Sequence, residues 1–211
     1  MRSYLALVRH GESLWNALGQ WTGWTDIDLS DNGREEARKA AHVLKEISFH
    51  VAHTSDLRRA QETLEIILKE LRLEIPVKKH HAIKERNYGS LTGKNKWKIK
   101  EEYGEEQFML WRRSWDHPVP EGESLKDVHS RVVPYYKKRI LPDLKKGKHV
   151  LVAAHGNSIR ALVKHLENIS DTDIPHLEIG TGEVYLYHFE SVSGTIIKKE
   201  IRSTNPKRGK Q

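Results

Sequence analysis

Leu5-Ala6-Leu7-Val8-Arg9-His10-Gly11-Glu12-Ser13 is the stretch of sequence that decides the fold. Its first four residues are apolar and predict a short buried strand, which ends in a guanidinium and an imidazole. A second stretch repeats the design, because the apolar residues 150–154 run into His155-Gly156-Asn157-Ser158 and then into an apolar helical pattern. In open α/β sheets, ligands bind at the carboxyl ends of the strands. If the two strands are neighbours, both histidines face one pocket.

Strands and helices alternate along the rest of the chain. Amphipathic helices are predicted after Ser30, Ser55 and Ser124, and further strands at residues 51–54, 184–189 and 195–201. This alternation indicates parallel βαβ units, so we expect an α/β fold with a mainly parallel sheet and helices on both faces. We expect one domain over residues 1–204, and a disordered basic tail over residues 205–211.

A block over residues 85–122 interrupts this alternation, and it opens with a polar, glycine-bearing segment, residues 83–94. We expect it to form a small helical cap over the carboxyl edge of the sheet, where functional residues concentrate. Within the cap, a helix is predicted over residues 107–115, with Trp111 and Trp115 on one face.

Composition limits the chemistry that the chain can perform. It contains no cysteine, which excludes disulfides, thiolate metal sites and thiol catalysis. Its formal net charge of +7, from 36 Lys and Arg against 29 Asp and Glu, favours anionic partners, small phosphates as readily as nucleic acid. No run approaches the roughly 20 apolar residues of a transmembrane helix, and the N-terminus enters a strand directly. We therefore expect a cytoplasmic protein without a membrane partner.

Two arginines, Arg58 and Arg59, stand in the first turn of a predicted helix. Cations normally gather at helix C-termini, where they complement the helix dipole. An arginine at this position indicates either a bound anion or a salt bridge to Asp56 or Glu62. The pattern alone leaves both interpretations open.

Five blocks of sequence together carry a resemblance to a known family. They are Arg9-His10-Gly11-Glu12-Ser13 with Trp15-Asn16, Thr22-Gly23-Trp24, Glu85-Arg86-Asn87-Tyr88-Gly89, Trp111-Arg112-Arg113 and Ala154-His155-Gly156-Asn157-Ser158. They resemble the histidine phosphatase superfamily and, more narrowly, its phosphoglycerate mutases that depend on 2,3-bisphosphoglycerate. The resemblance implies a glycolytic and gluconeogenic isomerase that interconverts 3-phosphoglycerate and 2-phosphoglycerate. It also implies a phosphohistidine, with 2,3-bisphosphoglycerate as the phosphoryl primer.

The resemblance also implies a role for each matching residue. His10 would be the nucleophile, Glu85 the general acid and base, and Arg9, Arg59 and His155 would bind the transferring phosphoryl group, as this chemistry requires. The substrate-binding residues would be Asn16, Thr22, Gly23, Arg59, Tyr88, Lys96, Arg112, Arg113, Gly156 and Asn157. The sequence has no cluster of metal-ligand spacing, so we expect no metal.

Two other functions remain possible from the sequence. A phosphomonoesterase of the same superfamily would share His10 but would not need Lys96 or the Arg112-Arg113 pair. A nucleic-acid-binding module would need basic residues gathered on one face with exposed aromatics, whereas here they are spread along amphipathic helices. The chain also lacks a segment that longer family members carry after their Trp-Arg-Arg, and it has Thr181-Gly182-Glu183-Val184 where relatives often have Thr-Gly-x-Pro. We therefore expect a short form, monomeric or homodimeric, that binds small phosphorylated substrates and no nucleic acid.

Overall fold

The computed structural model describes residues 2–203, and only the backbone of Ser203. The tail predicted to be disordered, residues 205–211, lies outside the described residues. The strands are β1 (Arg2–Arg9), β2 (Val51–Thr54), β3 (Val77–Lys79), β4 (Val150–Ala154), β5 (Val184–Glu190) and β6 (Thr195–Ser203). The α-helices are α1 (Leu14–Ala17), α2 (Asp31–His42), α3 (Arg58–Glu70), α4 (Lys96–Arg113), α5 (Leu125–Tyr135), α6 (Leu141–Lys145) and α7 (Gly156–Glu167).

All six strands form one sheet, in the order β3-β2-β4-β1-β5-β6. The first four in this order run parallel, and β5 and β6 are antiparallel to their neighbours. The prediction of a mainly parallel sheet is therefore confirmed. The two strands singled out by the sequence, β1 and β4, are direct neighbours, with Arg9 opposite Ala154.

Helices cover both faces of this sheet, and successive side chains of a strand point to opposite faces. Leu5 and Leu7 pack with α5 and α7, while Ala6 and Val8 pack with α2 and α3. Both layers are buried, which explains why β1 and β4 read as continuous apolar runs and not as alternating ones. Among the described residues, no helix combines the length and apolar character needed to cross a membrane.

The cap over the carboxyl edge has a small core of its own, which includes Trp21, Phe108 and Trp111. The helix predicted over residues 107–115 is longer than expected at its start, because α4 begins at Lys96. Gly104 interrupts it with φ 83° and ψ 164°, which divides α4 into two helical parts. The prediction for Trp115 was wrong, since α4 ends at Arg113 and Trp115 packs instead against His129.

Gly11 is required because two backbone segments meet at this point. A Cβ atom on Gly11 would lie 2.0 Å from the carbonyl oxygen of Gly33, and a Cβ on Gly33 would lie 2.0 Å from the carbonyl oxygen of Glu12. Both distances are far shorter than van der Waals contact, and the atoms that each Cβ would meet belong to the backbone, which cannot move away as a flexible side chain could. The glycine pair thus packs the loop after β1 against the first turn of α2.

We expect Gly11→Ala to lower the free energy of unfolding by about 2 kcal/mol or more, since overpacking at a rigid contact typically costs about 1 to 3 kcal/mol. Gly33→Ala should cost a similar amount. The double variant should be less destabilised than the sum, because both substitutions disrupt one contact. Urea unfolding of the three variants measures this, and additive effects would contradict a shared contact.

Candidate active site

The carboxyl ends of β1 and β4 place two histidines side by side. His10 follows β1, His155 follows β4, and the backbone N–H of His10 donates to the carbonyl oxygen of Ala154 at 2.9 Å. The ring centroids of His10 and His155 are 5.0 Å apart, and both side chains are buried. The expectation that the two histidines share one pocket is confirmed.

The His10 ring is held in one orientation by its own loop. Nδ1 donates to the carbonyl oxygen of Gly11 at 2.7 Å, and because a carbonyl only accepts, this bond leaves Nε2 without a proton. Burial, with Arg59 and Arg9 nearby, lowers the pKa of His10 well below its ordinary value. The neutral ring therefore presents a lone pair on Nε2, which is the state that a nucleophile needs.

His155 is also neutral at physiological pH in this environment. Burial is the main cause of its lowered pKa, followed by the charge of Arg59 and by His10. Its Nε2 lies 2.7 Å from Oγ of Ser55, which follows β2 and also accepts from the backbone N–H of Leu57. The sequence analysis did not single out Ser55, since nothing local links it to a histidine 100 residues away.

The two arginines at the start of α3 diverge, because neighbouring helical residues point about 100° apart. Arg59 is buried, and its Nε donates to His10 Nε2 at 3.4 Å. Its terminal nitrogens donate to the carbonyl oxygens of Gly23 and Thr25 at 2.7 and 2.9 Å. Arg58 forms a salt bridge with Asp28 at 3.2 Å, so the salt-bridge interpretation holds for Arg58, with Asp28 as the partner in place of Asp56 or Glu62.

Arg9 is the second arginine beside the two histidines. Its Nη1 donates to the carbonyl oxygen of Ile179 at 2.6 Å, which directs the guanidinium along the edge of the sheet. A Cβ on Gly156 would lie 3.4 Å from Arg9 Nε and 3.7 Å from Oε2 of Glu85. Gly156, at the start of α7, therefore lies between Arg9 and Glu85, the candidate general acid.

Glu85 lies against His10 and His155, and its Oε1 is held by three N–H donors. The backbone N–H of Arg86 donates to it at 2.7 Å, and Asn157 donates from its backbone at 3.2 Å and from Nδ2 at 2.9 Å. Nδ2 of Asn157 also donates to the hydroxyl of Tyr88 at 2.8 Å. The structure thus brings Glu85, Tyr88 and Asn157 together as the sequence predicted.

A further arginine fixes the backbone of this segment and was missed by sequence reasoning. Arg131 on α5 donates to the carbonyl oxygens of Ala82, Lys84 and Glu85, and it forms a bidentate ion pair with Glu123. In the sequence it reads as one more polar position on an amphipathic helix. Only the tertiary fold reveals its contacts.

A second cationic group lies on the cap side of the same cleft. Arg112 and Arg113 are the last two residues of α4. Together with Lys96 they line an open cleft of about 490 Å³. Both arginines pair with Glu178, Arg112 at 3.8 Å and Arg113 more closely. Burial would raise the pKa of Glu178, but the two arginines outweigh it and hold the pKa below its ordinary value. The carboxylate thus offsets part of the positive charge.

The remaining predicted residues occupy the His10 side of the cleft or support it. Asn16 and Thr22 line a neighbouring cavity of about 340 Å³ together with His10 and Arg59. The buried hydroxyl of Thr22 has no hydrogen-bond partner among residues 2–203. The carbonyl oxygen of Gly23 accepts from Arg59 at 2.7 Å, so this residue helps to hold the guanidinium beside His10.

Donor atoms of His10, Glu85 and His155 lie within 4.8 Å of one another, a spacing that could suit a metal ion. Two arginines oppose this use. Arg59 donates directly to His10 Nε2, and the positive charges of Arg59 and Arg9 already lower the pKa of His10. The local field therefore disfavours a cation and favours an anion.

Lys96 gives the cleft a testable pH dependence. Burial, followed by the charges of Arg112 and Arg9, lowers its pKa to about 7. A bound anion raises that pKa again, so anion binding above pH 7 must take up a proton. Sulfate, which does not titrate in this range, should bind about tenfold more weakly at pH 8 than at pH 6.

Isothermal titration calorimetry in buffers of different ionisation enthalpy measures both the affinity and the proton uptake. Lys96→Met should remove most of the uptake at pH 8 and flatten the pH dependence of sulfate binding. Lys98→Met is the matched control, because Lys98 is exposed on the same helix. Unchanged proton uptake in Lys96→Met would contradict the interpretation.

Paired buried histidines, flanked by arginines at the carboxyl edge of a parallel sheet, define a class of α/β proteins that transfer phosphoryl groups through histidine. The family profile of the histidine phosphatase superfamily (branch 1) matches residues 5–201. The chain belongs to this superfamily.

Relatives within the superfamily are similar over most of their length. The chain is 48% identical to a 2,3-bisphosphoglycerate-dependent phosphoglycerate mutase of Cytophaga hutchinsonii, over 89% of this chain and 88% of the relative. It is 47% identical to the protein of that name from Parvibaculum lavamentivorans, over 95% and 97%. Among solved structures, a mycobacterial glucosyl-3-phosphoglycerate phosphatase superposes with a TM-score of 0.81 at 24% identity, covering 96% of this chain and 99% of that one. That last likeness is one of fold.

Proposed function

We propose that this protein interconverts 3-phosphoglycerate and 2-phosphoglycerate through a phosphohistidine at His10. The observation that carries the proposal is the second cationic group, Arg112 and Arg113, in the cleft that also holds Glu85. A mutase must hold a second anionic group besides the phosphoryl group in transfer, and a phosphatase need not. Relatives named as 2,3-bisphosphoglycerate-dependent phosphoglycerate mutases, at 47 to 48% identity, support the same conclusion.

Transfer begins and ends at His10 Nε2. When Nε2 attacks phosphorus, an N–P bond forms and the P–O bond to the departing 2-phosphoglycerate breaks. Arg9 and Arg59 stabilise the negative charge on the phosphoryl oxygens, since arginine presents several donors and keeps its charge. His155 contributes as a cation once the bound phosphate raises its pKa. Glu85 gives a proton to the leaving oxygen. In the return step Glu85 accepts the proton of the attacking hydroxyl, and the N–P bond breaks.

The residues of the cleft fit 2,3-bisphosphoglycerate as phosphoryl primer. Five cations, Arg9, Lys96, Arg112, Arg113 and Arg160, lie around the larger cavity against two carboxylates, Glu85 and Glu178. Arg9 and Arg59 would hold one phosphate, and Arg112, Arg113 and Lys96 the other anionic groups. When bound, the primer supplies the phosphoryl group that His10 needs before its first turnover.

We also propose that the reaction needs no metal ion, on the strength of the arginines beside the histidines. The cytoplasm as the site of action, a monomeric or homodimeric state and the lack of a nucleic-acid partner belong to the same proposal. They rest on the match to short mutases and on a cleft sized for a small molecule.

The test is conversion of 3-phosphoglycerate to 2-phosphoglycerate, with and without 2,3-bisphosphoglycerate and in the presence of EDTA, while free phosphate is followed. The expected result is EDTA-resistant interconversion that the bisphosphate stimulates, with little phosphate released. Loss of the reaction in EDTA would overturn the metal-free proposal. Phosphate release without interconversion would overturn the mutase proposal.

One observation favours a second candidate, a phosphomonoesterase of the same superfamily. Glu178 pairs with both arginines of the second cationic group, which weakens their attraction for another anion. A phosphatase would use the His10 chemistry and release the phosphoryl group to water. The ratio of phosphate release to interconversion in the assay above separates the two functions.

A further inference from the structure

Arg160 on α7 is a buried cation that the proposed reaction does not use. Its side chain is only 3% exposed and donates to three oxygens, none of them a carboxylate. These are Oδ1 of Asn157 at 2.9 Å and the carbonyl oxygens of Arg113 at 3.1 Å and Ile174 at 2.9 Å. Burying a guanidinium without a directly bonded carboxylate is costly, and burial lowers the pKa of Arg160 to about 9. Such a residue calls for a functional reason.

The first consequence of these bonds is the orientation of the Asn157 side chain. An amide can place either its oxygen or its nitrogen at a given position, and the choice follows from its partners. Because Arg160 only donates, Oδ1 of Asn157 must face it, and Nδ2 must face Glu85 and Tyr88. Arg160 therefore decides that Glu85 receives an N–H donor from this side chain.

The second consequence concerns the two oxygens of Glu85. Oε1 already accepts three N–H groups, including Nδ2 of Asn157, and has no room for a proton. Oε2 accepts no hydrogen bond from residues 2–203. The two oxygens are thus unequal, and a proton on Glu85 belongs on Oε2, on the side of Gly156 and Arg9.

The third consequence concerns the cap. Through the carbonyl oxygens of Arg113 and Ile174, Arg160 ties the end of α4 to the segment before Glu178. Arg160 on α7 therefore contacts both the carboxyl end of α4, where Arg112 and Arg113 lie, and the amide that orients Glu85.

We propose that Arg160 is a positioning residue that acts through Asn157 to hold Glu85 with Oε2 as its proton-exchanging oxygen. The inference rests on the proposed function in that Glu85 exchanges a proton with the oxygen bonded to phosphorus. A leaving group that is already a stable anion needs no such proton, whereas an alkoxide does. The effect of Arg160 should therefore depend on the leaving group.

The test compares wild type with Arg160→Met on two kinds of phosphate ester. We expect turnover of 3-phosphoglycerate and of simple alkyl phosphates to fall about 10- to 100-fold, as for partial loss of a general acid. Hydrolysis of p-nitrophenyl phosphate, whose leaving group is a stable anion, should change less than about threefold. Arg160→Lys should recover part of the alkyl activity, because an ammonium can still donate to Asn157 Oδ1.

Lys164→Met is the matched control. Lys164 is a buried cation on the same helix whose side chain donates to the carbonyl oxygen of Ile169 at 2.6 Å, and within residues 2–203 it makes no hydrogen bond to Asn157 or Glu85. It should alter stability or KM without changing the ratio of alkyl to aryl activity. Thermal unfolding of each variant identifies any general loss of fold.

If Arg160→Met loses activity equally on alkyl and aryl esters, so that the ratio of the two activities is unchanged, the inference is overturned. A ratio that Lys164→Met changes as strongly would also overturn it, since the effect would then be one of general packing. The ester series does not require interconversion. Wild type that hydrolyses esters but fails to interconvert phosphoglycerates would therefore contradict the proposed function alone.

Discussion

Replacing His10 by alanine is expected to abolish phosphoryl transfer, with a loss of about 10⁴-fold or more, as is typical when a covalent nucleophile is removed. The reason is that the His10 ring is neutral. Nδ1 is committed to the carbonyl oxygen of Gly11, and Nε2 is the atom left to form the N–P bond. The corresponding nitrogen of His155, Nε2, is engaged with Ser55.

The measurement has two parts, conversion of 3-phosphoglycerate and the amount of acid-labile phosphate carried by the protein. Both should be lost in His10→Ala. His53→Gln is the control, because His53 is also fully buried, on β2, but is bonded to the hydroxyl of Tyr135 at 2.8 Å. Acid-labile phosphate retained by folded His10→Ala would mean that another residue carries the phosphoryl group.

Local patterns determined which parts of this fold were predictable. The apolar runs of β1 and β4 need no long-range information, and the parallel pairing of these strands brings the residues that follow them together. Once that pairing is assumed, His10 and His155 must meet at one edge. The motifs that carried the resemblance added Glu85, Tyr88 and Asn157, and the structure places these three in contact.

What the sequence could not reveal is how polar side chains divide between surface and interior. Arg58 and Arg59 are adjacent and chemically identical, yet one is exposed and the other buried against His10. Arg160 stands among apolar residues of an amphipathic helix, where a solvated arginine would give the same pattern. Glu178 lies 65 residues after Arg113, so no local spacing connects them. These assignments depend on tertiary contacts, which periodicity does not encode.

The path of α4 shows the same limit for backbone structure. Its residues favour a helix on both sides of Gly104, and the left-handed φ of 83° at that glycine is a conformation that few other residues adopt. The sequence contains the glycine but does not say whether it ends, bends or merely weakens the helix. Burial of Ile99 and Trp111 on either side, in one cap core, is what decides it.

Replacing Glu85 by glutamine is expected to lower interconversion of the phosphoglycerates by about 10³-fold, within the range found for loss of a general acid or base. The variant should keep the local structure. The amide oxygen of glutamine can accept the three N–H bonds now made to Oε1, and its NH₂ group then occupies the place of Oε2. The substitution thus removes the exchangeable proton and little else.

The deciding measurement is again the dependence on the leaving group. In Glu85→Gln, formation of phosphohistidine from an aryl phosphate should be nearly as fast as in wild type, whereas transfer from 3-phosphoglycerate should be slow. Glu178→Gln is the matched control, because it removes an equal charge from the same cleft and should change KM for phosphoglycerates without changing the ratio of the two donors. Equal losses on both donors in Glu85→Gln would mean that Glu85 orients the substrate and does not transfer a proton.

The two carboxylate experiments also set a limit on the role of Arg160. If Arg160 acts through Asn157 on the orientation of Glu85, its removal cannot cost more on an alkyl ester than removal of the acid itself. In the double variant Arg160→Met with Glu85→Gln, the loss should approach that of Glu85→Gln alone, because no acid is left to position. A double variant whose losses simply add would show that the two residues act independently.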